Sequence, residues 1–112
     1  MVNILIERYL KIKKKVIKLW YSVKLLYSSE IDGQKNDLFE ETIVLISAEN
    51  QEEALKKAIK TGREKQILYK NSDDEEVRWF FNKVVEVQDL CEKKIYSGME
   101  IFSRLFRHKP EE

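Results

Sequence analysis

The chain has 112 residues and a mass of 13.4 kDa, the size of one compact domain, since domains mostly run to about 100–150 residues. Lys and Arg number 21 against 20 Asp and Glu, so the formal net charge of +1 supplies no global field toward nucleic acid or an anionic membrane. A single Cys and a single His exclude a disulfide-stapled secreted fold and a structural zinc cage, while a 43% apolar fraction rich in aromatics is enough for a core despite 37% charged residues.

Charge divides the chain unevenly. Residues 1–18 hold Arg8, Lys11, Lys13, Lys14, Lys15 and Lys18 against Glu7 alone. The apolar residues Val2, Leu5, Tyr9, Ile12, Val16 and Leu19 recur at alternating spacings of 3 and 4, which predicts a basic amphipathic helix over 1–19. Its stripe has three destinations: the sheet that follows, a partner helix (including a second copy of this chain, as a homodimer), or a membrane surface with the lysines at the headgroups. No apolar run approaches the length of a bilayer span, and charge interrupts the N-terminal segment too often for a secretory signal. The expected location is cytoplasmic, without integral membrane insertion. A lone Cys91 is then expected to pack as a small, half-buried hydrophobe.

From Trp20 the period changes to two. Tyr21, Val23, Leu25 and Tyr27 point one way and Ser22, Lys24 and Leu26 the other, predicting a half-buried first strand. Residues 31–37 are polar and contain Gly33, which reads as a connecting loop. A second strand is expected from about Leu38 to Ser47, and Ile43-Val44-Leu45-Ile46 suggests a central position covered on both faces. Asn50 with Glu53 three residues on, ahead of Ala54, Leu55, Ala58 and Ile59, predicts a capped helix over 51–61, with Gly62 as its left-handed terminator and the two alanines letting it lie close on the sheet. Residues 65–70 read as a short strand and Asn71 to Glu75 as a polar turn. Val77, Trp79, Phe81, Val85 and Val87 line a longer strand with a bulge near Asn82 and Lys83. A helical turn is expected around Leu90 and Cys91, and a last strand from Met99 to Phe106, before a charged tail over 108–112. The sum is a two-layer α+β domain over 20–107, a mostly antiparallel sheet of about five strands in the order ββαβββ with one central helix, plus the N-terminal helix.

Between Trp20 and Phe106 the chain resembles a bacterial family known as domain of unknown function 4288. The resemblance is carried by Trp20-Tyr21-Ser22-Val23-Lys24-Leu25-Leu26, Glu40-Glu41 before Ile43-Val44-Leu45, Ala48-Glu49 with Glu53-Ala54 and Ala58, and Gly62-Arg63-Glu64. It continues through Tyr69-Lys70-Asn71, Val77-Arg78-Trp79, Gly98-Met99-Glu100 and Ser103-Arg104-Leu105-Phe106. Asp73-Asp74 stands where that family often has a glycine, and residues 1–19 lie outside the familiar region. The resemblance implies no chemistry that transfers to these positions.

The residues themselves are poorly equipped for catalysis. His108 is near the chain's end, where little would orient it as a base, and Cys91 has no partner to activate it. Glu40 and Glu41 are strand neighbours and face opposite ways. Asp73-Asp74-Glu75-Glu76 lacks the spacing of a calcium loop, and Gly33, Gly62 and Gly98 are isolated, so there is no phosphate loop. No cofactor and no metal site is expected. The expected function is a non-enzymatic protein-binding module, such as an immunity protein or antitoxin, whose partner is another protein. Its candidate anchors are Tyr69, Arg78, Trp79 and Arg104, with the acidic turn at Asp73 and Asp74 to complement a basic partner. Alternation with Val77 and Phe81 also gives Trp79 a core reading. The alternative is single-stranded nucleic-acid binding, with Phe80, Arg78, Phe102 and Arg104 on the sheet and the basic patch Lys11, Lys13, Lys14 and Lys15 beside it.

Overall fold

The computed structural model describes residues 17–108. The predicted helix over 1–19, and with it Lys11, Lys13, Lys14 and Lys15, falls outside the described residues up to Val16, as does the tail beyond His108. Leu19 already opens the first strand.

Four strands and one helix follow in the order β1 (Leu19–Ile31), β2 (Gln34–Ala48), α1 (Gln51–Glu64), β3 (Ile67–Lys70) and β4 (Glu76–Asp89). They form one antiparallel sheet of spatial order β2-β1-β4-β3, with α1 against one face. The α+β class and the antiparallel sheet agree with the sequence, but among the described residues there are four strands where about five were expected. Residues 99–106 are irregular and lie across the other face of the sheet. There the Lys24 ammonium sits 4.0 Å from the Phe102 ring centre, and the Gln88 side chain donates to the Ser103 carbonyl at 2.9 Å. This segment therefore touches the sheet face at Phe102 and Ser103 instead of extending the sheet, and Ile101, Leu105 and Phe106 stay exposed. The expected helical turn around Leu90 is likewise absent. The backbone of Leu90 donates to Trp20 and that of Trp20 to Glu92, prolonging the β1–β4 pairing past Asp89 and leaving Cys91 exposed at positive φ.

Two further departures have local causes. The segment expected as a loop over 31–37 is a tight hairpin, because Asp32-Gly33 takes positive φ at both positions (50° and 78°), the two-residue turn whose twist matches paired strands. Its neighbours are polar because this end of the hairpin is solvated. β2 is an edge strand and not a central one. Its apolar run is divided between Val44 and Ile46, which face the core, and Ile43, which stays exposed on the opposite face.

β1 is the hub. Tyr21, Val23, Leu25 and Tyr27 are buried against Ile46, Ala48, Ala54 and Ala58, and Val23 and Leu25 have no exposed surface. The Asn50 side chain caps α1 by accepting from the Glu53 amide at 2.8 Å. Glu53 in turn binds Lys57 at 2.9 Å, which holds its carboxyl below the ordinary carboxylate range. Ala54, Ala58 and Gly62 repeat every four residues and are the buried stripe of the helix, so small size lets α1 approach the sheet closely. Gly62 is not the terminator that its position suggested, since α1 continues to Glu64. Its lack of a side chain is required by the Phe81 ring, which would lie 2.5 Å from a Cβ.

β4 carries two bulges, where the register slips past Val85 and past Asn82. The Asn82 bulge is where the sequence placed one, and the Ser28 hydroxyl donates to the Asn82 side chain at 2.8 Å. Bulges bend the strand and increase its twist, which curls the sheet around α1. At the β3–β4 turn, the Asn71 side chain accepts from the amides of Asp73 and Glu75 while Asp74 takes a φ of 61°. This left-handed position suits glycine better. Asp74→Gly is therefore expected to raise stability by up to about 1 kcal/mol, since the exposed Lys70–Asp74 pair at 3.4 Å contributes less than that. A higher urea midpoint at unchanged slope checks it.

Candidate functional site

The helix fills only half of the curled face. Beyond its C-terminal end the same face opens into a trough of about 510 Å³, lined by Tyr27, Glu40, Thr42, Lys65, Ile67, Tyr69 and Trp79. All four strands and the helix cap contribute. Tyr27 of β1 pairs in register with Glu40 on one side and Phe81 on the other, and Trp79 of β4 pairs with Ile67 of β3.

Each wall is held by a specific contact. The Tyr27 hydroxyl donates to the Gly62 carbonyl at 2.9 Å, tying the helix end to the central strand. The Trp79 indole N–H donates to the Tyr69 hydroxyl at 3.3 Å. Thr42 donates to Glu40 at 3.1 Å, orienting the carboxylate. Burial, and then the negative charge of Glu40, raise the Tyr27 phenol above its ordinary pKa. A raised value in the folded state means that the unfolded chain ionises first, so this group withdraws stability as pH climbs beyond about 10, the ordinary tyrosine value. Tyr27→Phe is expected to lose about 1 kcal/mol at neutral pH, the net worth of one hydrogen bond. It should also soften the alkaline fall in melting temperature; an unchanged alkaline limb would contradict the assignment.

Beside the trough lies β3, an outer strand paired on one side only among the described residues. Ile67, Leu68 and Tyr69 on it are 55%, 52% and 44% exposed. The Gln66 side chain accepts from the Phe81 amide at 2.9 Å, supplying the acceptor where the strand has ended. The other outer strand is defended. β2 carries Lys35, Asp37, Glu40 and Glu41 and a register irregularity opposite Ser28–Glu30, where Ser29 donates to the Leu38 carbonyl and accepts from the Asn36 side chain. Charges and bulges of this kind discourage strand addition. β3 has only Lys70 as a charge.

The sequence-derived anchors are divided by this geometry. Tyr69 and Trp79 meet in the trough, and Trp79 also packs against the core. Arg78 is on the opposite face, 5.7 Å from the Phe80 ring. Arg104 belongs to the irregular C-terminal segment, stacked on Phe106 at 5.2 Å. Asp73 and Asp74 sit at the β3–β4 turn. Glu40, Thr42, Lys65, Ile67 and Tyr27 were not singled out as a set, although the Asp32-Gly33 hairpin signal would have brought Tyr27 near Glu40 had it been used to set the β1–β2 register. Among the described residues no three His, Cys, Asp or Glu side chains cluster to hold a metal ion, and no helix is long and apolar enough to cross a membrane.

The chain matches the family described as domain of unknown function (DUF4288) over residues 20–103, three quarters of its length and all four strands and the helix. It belongs to that family. No curated protein and no solved structure matches it. In this DUF4288 domain the matched span therefore takes in both the trough and the bare β3 edge.

Proposed function

We propose that this DUF4288 domain is a non-enzymatic protein-binding module that takes up an extended segment of another protein along β3. The observation that carries the reading is the β3 edge, unpaired among the described residues, with Ile67, Leu68 and Tyr69 exposed on it. An added strand satisfies the free backbone groups of an edge, and pockets on either side of it select alternate side chains. β3 has such hollows on both faces: the trough on one, and on the other a recess of about 260 Å³ lined by Gln66, Ile67, Leu68, Arg78, Trp79 and Phe80. Arg78 thus serves the same edge from the far face. A role as an immunity protein or antitoxin is a case of this reading, in which occupation of the partner is the whole activity.

Selection of short random peptides against the purified protein tests it. Selected peptides are expected to slow hydrogen exchange at the outward amides of Ile67–Lys70 and to lose binding when Leu68 becomes Pro, which removes an amide. Selected peptides that protect only β2 or the C-terminal segment would contradict it. An eight-stranded dimer joined through β3, detected by light scattering, would replace the foreign partner with a second copy.

A further inference from the structure

Three rings, of Tyr27, Tyr69 and Trp79, converge in the trough with one carboxylate, Glu40. Elsewhere the chain supplies its own cations to its aromatic faces: Lys24 to Phe102, Arg78 to Phe80 and Arg104 to Phe106. Among the described residues none stands over the three trough rings, and Glu40 takes part in no ion pair. The hydrogen-bonding groups of the floor are already occupied, since Tyr27 donates to Gly62, Trp79 to Tyr69 and Thr42 to Glu40. What is left on offer is the surface of the Tyr69 and Trp79 rings and the Glu40 carboxylate, Tyr27 being buried. The exposed Lys65 also lines the trough, and among the described residues it pairs with no carboxylate.

We propose that the trough is a site for an organic cation, an ammonium or guanidinium on an alkyl stem, seated between Trp79 and Tyr69, above the buried Tyr27, against the Glu40 carboxylate. Ring faces attract cations through their quadrupole, more strongly where water is partly excluded, and a carboxylate at the same place adds a charge-assisted hydrogen bond. The volume, about 510 Å³, is in the range of small-molecule sites and admits the stem as well as the head. The inference goes beyond strand addition at β3 and stands without it, because a free amine and the basic side chain of a bound segment present the same head group.

The test is a titration of the full chain with ethylguanidinium chloride and with tetramethylammonium chloride, following the Trp79 indole N–H by NMR against sodium chloride at matched ionic strength. Saturable shifts are expected with both organic cations, and binding about tenfold weaker in Glu40→Gln, a change of about 1.4 kcal/mol. Glu40 is exposed, so this variant is expected to keep its melting temperature. Shifts no larger than those from sodium, equal affinity in Glu40→Gln, or stronger binding of propionate than of either cation would overturn the proposal. A second arm separates the sources. If a bound segment supplies the cation, an arginine within an extended peptide binds more tightly than ethylguanidinium and slows exchange at β3. If a free amine is the ligand, the two bind alike and β3 is unaffected.

Discussion

Leu25→Ala is expected to destabilise the domain by about 2–5 kcal/mol, the range for removing a fully buried leucine when the surroundings only partly collapse. Leu25 has no exposed surface and lies midway along β1, between Thr42 of β2 and Val84 of β4. Because β1 joins both halves of the sheet and contributes Tyr21, Val23, Leu25 and Tyr27 to the core beneath α1, a cavity there cannot be filled by moving one element alone. Domains of this size are typically stable by only about 5–15 kcal/mol, so the variant should lie near the edge of folding at physiological temperature. Urea unfolding followed by circular dichroism checks it; a loss below about 1 kcal/mol would mean that the core is centred elsewhere.

Gly62→Ala is expected to destabilise as well, by about 1–3 kcal/mol, although alanine is the better helix former by about 1 kcal/mol. Three atoms of the Phe81 ring lie at 2.5, 2.6 and 3.0 Å from where the new methyl group would sit. Phe81 is itself held edge-on to Tyr27, with ring centres 5.8 Å apart, and Tyr27 is bonded to the Gly62 carbonyl. The methyl group must therefore displace either the helix end or the ring that packs beside the trough. If the clash is the cause, Phe81→Leu in the same chain restores part of the loss, and the double-mutant cycle shows a coupling of the order of 1 kcal/mol. Additive losses would contradict that cause. With no φ requirement at Gly62, the cycle separates close approach from backbone freedom as the reason for a glycine there.

These two sites show what was legible in the sequence. The alternation Tyr21, Val23, Leu25, Tyr27 identified β1 and its buried face, and Asn50 with Glu53 identified the start of α1, because both signals are local and periodic. Ala54 and Ala58, the small residues that let α1 lie close on the sheet, were visible too. Gly62 was read as a terminator because a glycine near a helix end usually adopts positive φ, whereas the controlling fact is the Phe81 ring, nineteen residues away in sequence. Long-range pairing was the general limit. Ile43-Val44-Leu45-Ile46 reads the same in a central strand as in an edge strand with a half-covered outer face. Residues 99–106 alternate as a strand would, yet no sheet edge takes them, and Phe102 and Ser103 contact the sheet face through Lys24 and Gln88 instead.

The candidate site was legible in half. Tyr69 and Trp79 read as candidate anchors, Trp79 also as core, and they do meet. Arg78 reads as an arginine anchor beside them, but strand alternation sends it to the opposite face, as it does for any residue next to one that points inward. Arg104 and the acidic turn are apart from the trough. Glu40 was read only as half of a failed acid pair, because its companions become visible through the register Tyr27–Glu40 and through the curl that the two β4 bulges impose.

The central claim is that β3 is a docking edge, and hydrogen exchange at the Ile67–Lys70 amides, with and without a selected peptide, tests it most directly. The account predicts that the outward amides of this strand exchange rapidly in the free protein and slow by more than tenfold with the peptide bound, about 1.4 kcal/mol or more of added protection. Equal exchange rates in the two states, at a peptide concentration that saturates binding, would contradict it.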